Sequence, residues 1–451
     1  MSLRETQYIY SELGKSNSES KLKNSIKKGI WAYFILLVFE GALRKWIFPG
    51  LATPLLIIRD PIALWVIYKV WEFGVFPKAS YVLTIVAIGF ISIFTALFFG
   101  HGNLPVSLYG ARILLIHFPF MYAMGKILDR DDVLEMGRAL LYISIPMALL
   151  IGLQFYSPQS AWVNRGVGGD EAGAGFSGAL GYFRPSGTFS FTNGNTHFFS
   201  LVSPFVIYFW LNSKLINRTI LVCATMALIA SIPLSISRSL FFSIIINLLF
   251  AMIGASANSK LVGRAIAAAS LIAISIAILS QLSFFRTATE AFTTRFTVAN
   301  EVEGGIEGVV GDRYFGGLLG ALKTSTIQPF FGLGIGLGTN VGSKLTTGQT
   351  TFLISEGEWG RLIGEMGPIL GLTVIFIRLA FTWQLCIASF HSMRNGKLLP
   401  WLLVSYGLLI IPQGQWAQPT SLGFSTLLGG LIIASMKNKR EISDQTSYEA
   451  N

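Results

Sequence analysis

Long apolar segments separated by short polar ones run through most of the chain. A helix needs roughly 20 consecutive apolar residues to cross the hydrocarbon core of a bilayer, and nearly all of these segments approach that length, while the one at 399–412 is short and could be re-entrant. We therefore predict about twelve membrane-spanning helices, at 29–48, 51–73, 80–100, 108–127, 139–157, 196–213, 217–236, 239–257, 264–284, 365–386, 399–412 and 419–436. No internal repeat is visible, which disfavours transporter folds built from paired halves.

Basic residues alternate between the connecting loops and predict a topology. Every second loop carries lysine or arginine, and so do the polar segments before the first span and after the last. Loops rich in lysine and arginine stay on the cytoplasmic side. We therefore expect cytoplasmic tails at 1–28 and 437–451, a polytopic membrane domain at 29–436, and two long extracytoplasmic loops near 158–195 and 285–360.

Composition supports the same class of protein. Of the 451 residues, 13% are charged and 52% hydrophobic, whereas about a quarter of a soluble protein is charged. We predict an all-α polytopic membrane protein whose partner is the lipid bilayer. The net charge of +11 lies mostly in predicted cytoplasmic segments, where topology and anionic headgroups account for it, so no nucleic acid is expected. Cys223 and Cys386 lie inside apolar spans and suggest neither disulfides nor a thiolate metal site.

The predicted outer side is richer in arginine than in lysine. Guanidinium stays charged and forms a planar fork that matches phosphate oxygens, so these arginines suit a pyrophosphate-bearing ligand. The alternative is that they pair with loop carboxylates. Arg238, in SISRSLFF at the outer junction of two spans, is predicted to face an aqueous or protein-lined site because a charge in lipid is costly. Arg112, close to the outer end of the fourth span, is predicted to reach the same region.

Two segments of the predicted outer loops carry further candidates. Arg184 lies in FRPSGTFSFTNGN, where Pro185 and Gly187 enforce a tight turn. Ser186, Thr188 and Asn193 of this segment offer neutral hydrogen bonds that suit a sugar. Arg313 lies in GDRYFGGLLGAL, ahead of a predicted helix and the glycine-rich turn QPFFGLGIGLGTN. Arg184 is therefore a predicted substrate-binding residue, and Arg313 is a further candidate of the outer loops.

Charged residues also occur inside the first two spans. Arg59 and Asp60 stand next to Pro61, and Glu40 and Arg44 share one helical face. An internal ion-pair cluster is the favoured interpretation, with a substrate site as the alternative. The sequence contains no outer metal-binding, Walker-type or Rossmann-type pattern, so no metal, nucleotide or redox cofactor is expected.

Three features in order give the chain a family resemblance. SRS stands at a span end, a loop arginine precedes an apolar helix and P-x-x-G-x-G-x-G, and EWGRLIGEMGPILGL leads into the next span. Over roughly 180–375 this order resembles the O-antigen ligase and O-antigen polymerase superfamily.

The resemblance implies a GT-C-like fold in the bacterial inner membrane. It implies an enzyme that moves glycans from an undecaprenyl-diphosphate carrier to a glycan or lipid-linked acceptor at the periplasmic face, without metal or nucleotide sugar. It also implies that Arg238 and Arg313 help to hold the carrier diphosphate. A polysaccharide chain-length regulator is an expected further partner.

One departure from the family pattern concerns the base. Many ligases place a histidine before the span, whereas this chain reads ISEGEWGRLIGEMGPILGL, with Glu356 and Glu358. A carboxylate in a partly dry cleft can accept a hydroxyl proton, so Glu358 is the predicted base and Glu356 the fallback. Glu358 could equally pair with Arg361, itself a candidate for substrate binding. Trp359 is expected to offer a sugar-stacking face, and Glu365 to be a charge of the first helical turn.

These observations predict a membrane glycosyltransferase that polymerises or ligates lipid-linked polysaccharide, most of all an O-antigen or exopolysaccharide polymerase. A transporter or flippase of the same lipid-linked glycan is the alternative. A structural subunit of an export complex is a third hypothesis, and convergence of Arg184, Arg238 and Arg313 on one cavity would argue against it.

Overall fold

The structure, a computed structural model, describes residues 3–74, 79–256, 281–303, 316–325, 328–349 and 353–437, with three single positions between 257 and 280. The described residues are mostly helical. The helices are α1 (Leu3–Ala42), α2 (Arg59–Glu72), α3 (Ser80–Phe98), α4 (Leu104–Arg112), α5 (Phe118–Ile127), α6 (Arg130–Tyr156), α7 (Thr192–Leu211), α8 (Arg218–Leu234), α9 (Arg238–Ala255), α10 (Ser283–Glu303), α11 (Gly316–Ser325), α12 (Asn340–Thr347), α13 (Glu358–Arg394), α14 (Leu398–Ile410) and α15 (Pro419–Ser435).

Five helical segments of the described chain are long and apolar enough to cross a membrane. They are Ser80–Phe98, Leu104–Ile127, Arg130–Tyr156, Arg238–Ala255 and Glu358–Arg394. Shorter apolar helices, α8, α14 and α15, lie at three more of the predicted spans. The chain is therefore a helical protein of membrane character. The twelve spans and the GT-C-like arrangement stay predictions, and the ninth predicted span lies mostly outside the described residues.

Several predicted spans have different boundaries in the structure, and two of the differences have an evident local cause. The second contains short 3-10 turns before α2, which has only 14 residues and carries Pro61 in its first turn, where proline is tolerated. Helix α6 begins nine residues earlier than predicted because Asp129 caps it, accepting from the amide of Asp132 at 3.2 Å. Lys27 of α1 bonds to Asp132 at 2.7 Å and fixes this start against the first helix.

Helix α7 lies at the centre of the bundle. Every side chain from Phe198 to Phe209 is buried, and α7 packs against α6, α8, α9, α14 and α15. A helix that is apolar all round is stable only when surrounded in this way. The packing of α7 therefore fixes the position of its first turn, which begins at Thr192.

The first long loop is folded, as its glycine and aromatic content indicates. It contains a hairpin that the all-α prediction missed, with strands β1 (Phe176–Ala179) and β2 (Tyr182–Arg184). Leu180 and Gly181 at its tip both have positive φ, 54° and 78°, as a two-residue hairpin turn of type I′ requires. After β2 the chain turns inward, and residues 185–189 are all buried.

The second long loop is described in part. The helix predicted within RYFGGLLGALKTS is present as α11, while Arg313 lies outside the described residues. The glycine-rich turn Gly332–Gly338, here called the glycine wedge, packs against α4 and α13. Gly336 has a φ of 93°, and a Cβ there would lie 2.1 Å from the carbonyl oxygen of Val106, so only glycine fits.

Candidate functional site

Three arginines from separate elements line one cavity. Arg184 ends β2, Arg238 begins α9 and Arg295 belongs to α10. The cavity has a volume of about 110 Å³, and the other described residues that line it are Ile236, Ser237, Ser239 and Phe242. No carboxylate is among the described residues that line it. We call this site the arginine cavity. Arg184 and Arg238 share it, as the sequence predicts for this pair.

The α8–α9 connection shapes the floor of the arginine cavity. Ile236 has a φ of 47°, a left-handed conformation that costs a β-branched residue on the order of 1–3 kcal/mol. The Ile236 side chain packs closely against the hairpin, since a Cβ on Gly178 would lie 2.6 Å from the Ile236 Cδ1 atom. Ser237 then caps α9 by accepting from the amide of Leu240 at 3.3 Å. The positive end of the α9 dipole therefore opens at the cavity, where an anion is favoured.

The electrostatics of the arginine cavity point to an anionic ligand. The Arg184 Nε atom is buried and has no hydrogen-bond partner among the described residues. Burial, followed by the positive charges of Arg295 and Arg238, lowers the pKa of Arg184 to about 10. The guanidinium is still charged at neutral pH, so it lies close to two like charges. A phosphate or diphosphate would relieve this repulsion and satisfy the orphan Nε–H.

An aromatic cluster adjoins the arginine cavity. Phe242 lines the cavity and lies 5.8 Å, between ring centroids, from Phe296 of α10. Phe241 lies 5.9 Å from Phe292, which in turn lies 6.2 Å from Phe296. Phenylalanine side chains therefore fill the space between α9 and α10 next to the arginine cavity. This combination suits an amphipathic ligand that carries a phosphorylated head and an apolar chain.

A second polar group forms a closed ion-pair network at the start of α13. Glu358 accepts from Arg361 at 2.9 and 3.0 Å and from Arg378 at 2.7 Å. Arg361 also donates to Glu365 at 2.5 Å, and Arg378 lies over the Trp416 ring at 3.8 Å. Two carboxylates and two guanidinium groups thus balance one another.

This ion-pair network bears on three of the predicted site residues. Both Glu358 oxygens already accept from guanidinium groups, and the residue is 4% exposed, which favours its alternative role as a partner for Arg361. Its role as a base stays a prediction. Arg361 is bound between Glu358 and Glu365, so its charge is already balanced inside the protein, and its role in substrate binding stays a prediction. Glu365 lies beyond the first turn and accepts from the Gly338 amide of the glycine wedge at 2.8 Å, so the first-turn interpretation is wrong.

Arg378 is the network residue to which sequence reasoning gave no function. It is 1% exposed, and it donates to the carbonyl oxygens of Ile411 and Gly414, both at 3.0 Å. The signal that identifies it is simple. A lone arginine inside an apolar span must have an acidic or carbonyl partner.

Several predicted sugar contacts are used inside the protein instead. Trp359 is 4% exposed and donates from Nε1 to the Pro412 carbonyl oxygen at 3.0 Å, so it has no free stacking face. Ser186 accepts from Lys45 at 2.9 Å, and Thr188 donates to the Val38 carbonyl oxygen at 2.6 Å.

Asn193 has a different setting. It is half-buried on the first turn of α7, and its Nδ2 donates to Gln418 Oε1 at 3.2 Å. It remains a candidate for substrate binding at a second cleft, which Gln418 lines.

The predicted internal ion-pair cluster is confirmed. Arg59 pairs with Glu40 at 2.9 Å, and Arg44 pairs with the same carboxylate at 3.4 Å. Arg112 belongs to this cluster, because its Nη1 bonds to both Asp60 oxygens at 2.8 and 3.0 Å. Arg112 is therefore held by Asp60 and is not among the described residues that line the arginine cavity, so its contact with a diphosphate stays a prediction.

Among the described residues, no group of three or more histidine, cysteine, aspartate or glutamate side chains is placed to hold a metal ion. Comparison of the chain with protein-family models, with curated proteins and with solved structures found no match.

Proposed function

We propose that this protein is a membrane glycosyltransferase that polymerises or ligates undecaprenyl-diphosphate-linked polysaccharide at the outer face of the inner membrane. An O-antigen or exopolysaccharide polymerase is the form we favour. The observation that carries the proposal is the arginine cavity, where Arg184, Arg238 and Arg295 meet at the start of α9. The adjoining phenylalanines would lie against the apolar carrier.

The proposed reaction is a single displacement. An acceptor hydroxyl oxygen forms a bond to the anomeric carbon of the donor's first sugar, while the bond from that carbon to the diphosphate oxygen breaks. The electron pair leaves with the diphosphate, and the hydroxyl proton passes to a base. The guanidinium groups neutralise the charge that develops on the leaving diphosphate, which is usually the largest single contribution of such a site. Inversion at the anomeric carbon follows from one displacement.

Deletion of the gene tests the reaction class. The lipid-linked glycan that accumulates in the deletion strain is isolated and sized. One repeat per lipid supports a polymerase, and long unattached polymer supports a ligase. Accumulation of lipid-linked repeats on the cytoplasmic leaflet alone would instead indicate a transporter and would overturn the proposal.

Substitution in the arginine cavity tests the site. Removing a preorganised donor to a developing charge costs on the order of 10²–10³ in rate. The alanine variants of Arg184, Arg238 and Arg295 should lose this activity. The corresponding lysine variants should recover little of it, because lysine lacks the fork. Polymer formation is measured at matched expression.

The matched control is Arg286→Lys. Arg286 is on α10 like Arg295, but its side chain is 77% exposed and pairs with Glu290. It should retain full activity. Near-normal activity in all three lysine variants of the cavity would refute the hypothesis that these arginines bind a diphosphate through the guanidinium fork.

A further inference from the structure

The first turn of α7 joins the arginine cavity to a second polar site. Thr196 bonds to Ser237, which lines the cavity, with 3.0 Å between the two hydroxyl oxygens. Asn193, three residues earlier, bonds to Gln418. Residues i and i+3 of a helix lie on the same face, roughly 5–6 Å apart at Cβ. The cleft at Gln418 is thus about one helical turn from the arginine cavity.

Neutral side chains form a continuous hydrogen-bonded row in this second cleft. Gln418 Nε2 donates to Gln415 Oε1 at 2.8 Å, and Gln415 Nε2 donates to the Glu356 carbonyl oxygen at 2.9 Å. Asn340 and Ser355 also line this cleft. We call this site the amide cleft. Its enclosed volume of about 10 Å³ suits one water molecule, so a larger ligand would lie along the mouth.

The chemistry of the amide cleft differs from that of the arginine cavity. Asn340 and Glu356 are exposed, while Ser355, Gln415 and Gln418 are partly exposed, so their remaining polar atoms are accessible at the mouth. Arg361, the cation among the described lining residues, is neutralised by its carboxylate partners, of which Glu358 also lines the cleft. An anion would therefore meet the Glu356 carboxylate without a compensating charge. Amides donate and accept at once, which matches the hydroxyl groups of a neutral sugar.

We infer that the amide cleft binds the neutral glycan acceptor, and that its hydroxyl reaches the donor sugar across the first turn of α7. This inference rests on the proposed function. It adds a division of labour, in which the arginine cavity holds the charged donor end and the amide cleft recognises the uncharged chain.

Steady-state kinetics of the purified full-length protein test this division. The donor is the host's own lipid-linked repeat, and the acceptor probe is the soluble glycan that mild acid releases from it. A neutral hydrogen bond contributes about 1 kcal/mol, so each of Gln415→Ala, Gln418→Ala and Asn340→Ala should raise the acceptor KM about fivefold and leave the donor KM unchanged.

Controls separate recognition from folding. Gln413→Ala changes the same residue type in the same loop but outside the amide cleft, and it should leave both KM values unchanged. Asn340 is exposed, so Asn340→Ala should fold even if Gln415→Ala or Gln418→Ala does not. Direct titration of the released glycan, followed by saturation-transfer NMR, reads binding without turnover.

The outcomes distinguish the two proposals. Transfer with an unchanged acceptor KM in all three cleft variants overturns the inference and leaves the proposed function standing. If the cleft variants bind glycan more weakly but the parent protein transfers no sugar, the cleft is supported as a glycan site. The proposed glycosyltransferase function is then overturned. Binding of inorganic pyrophosphate, and not glycan, at the cleft overturns the inference outright.

Discussion

Replacing Glu358 by glutamine would leave a buried cation without its counterion. The ion-pair network contains Glu358, Glu365, Arg361 and Arg378, with a net charge of zero. Glu358→Gln raises that charge to +1 in a site where each of these side chains is no more than 4% exposed. Breaking a buried pair by removing one partner costs about 3–5 kcal/mol. We expect a loss of this size in the free energy of unfolding.

A second substitution should recover part of the loss. Arg378→Met removes the unpaired cation, so Glu358→Gln/Arg378→Met returns the network to neutrality. Recovery is incomplete because the Ile411 and Gly414 carbonyl oxygens lose their donor. We expect the double variant to be more stable than the sum of the single changes by about 1–3 kcal/mol.

The assay combines stability and turnover. Denaturant titration in mixed micelles gives the free energy of unfolding, and turnover is expressed per folded molecule. Glu171→Gln is the control, because Glu171 is 76% exposed on its side chain and pairs only across the surface with Arg165, where a pair contributes at most about 1 kcal/mol. A stability change under about 1 kcal/mol together with a 10²–10⁴ loss of turnover would refute the structural role and establish Glu358 as the base.

Two further predictions concern ligand binding and topology. Inorganic pyrophosphate at a hundred times its dissociation constant should stabilise the protein by about 2.7 kcal/mol, and this gain should disappear in Arg184→Ala. An equal rise in melting temperature for the parent and the variant would place the anion elsewhere. In a background with Cys223→Ala and Cys386→Ala, a cysteine replacing Glu171 should react with an impermeant thiol reagent on intact cells, and one replacing Lys214 should not. Both positions are exposed, so labelling at Lys214→Cys would reverse the orientation.

Local sequence was sufficient where hydropathy alone decides the structure. The span predicted at 80–100 is helix Ser80–Phe98, since its residues are apolar with few polar interruptions. The start of α6 was missed by nine residues because it depends on the Asp129 cap and on Lys27 from a distant helix. The Lys27–Asp132 pair is non-local and leaves no periodic signal, whereas Asp129 and Asp132 form a local capping box that hydropathy does not register.

The arginine cavity was predictable only in part. Arg238 stands out because a charge beside apolar spans must face something polar. Arg295 does not stand out in the sequence, because it lies in a threonine- and glutamate-rich stretch that is typical of a solvent-exposed helix. Only the packing of α10 against α8 and β1 brings Arg295 to the cavity. The pairing of Glu358 with Arg378 was hidden for the same reason, because Arg361 offered a nearer partner along the chain.

The inward turn at 185–189 has a consequence for how the protein is made. Thr188 bonds to the Val38 carbonyl oxygen across 150 residues, and a Cβ on Gly41 would lie 2.3 Å from the Ser190 amide nitrogen. Ribosomes add about 5–20 residues per second, so the first helix waits on the order of ten seconds for this segment to arrive. During that time its groove at Gly41 is open to lipid or to a wrong neighbour. Helix α1 therefore cannot reach its final surroundings until the chain has emerged past Ser190, which makes assembly of this end of the bundle a late step of biogenesis.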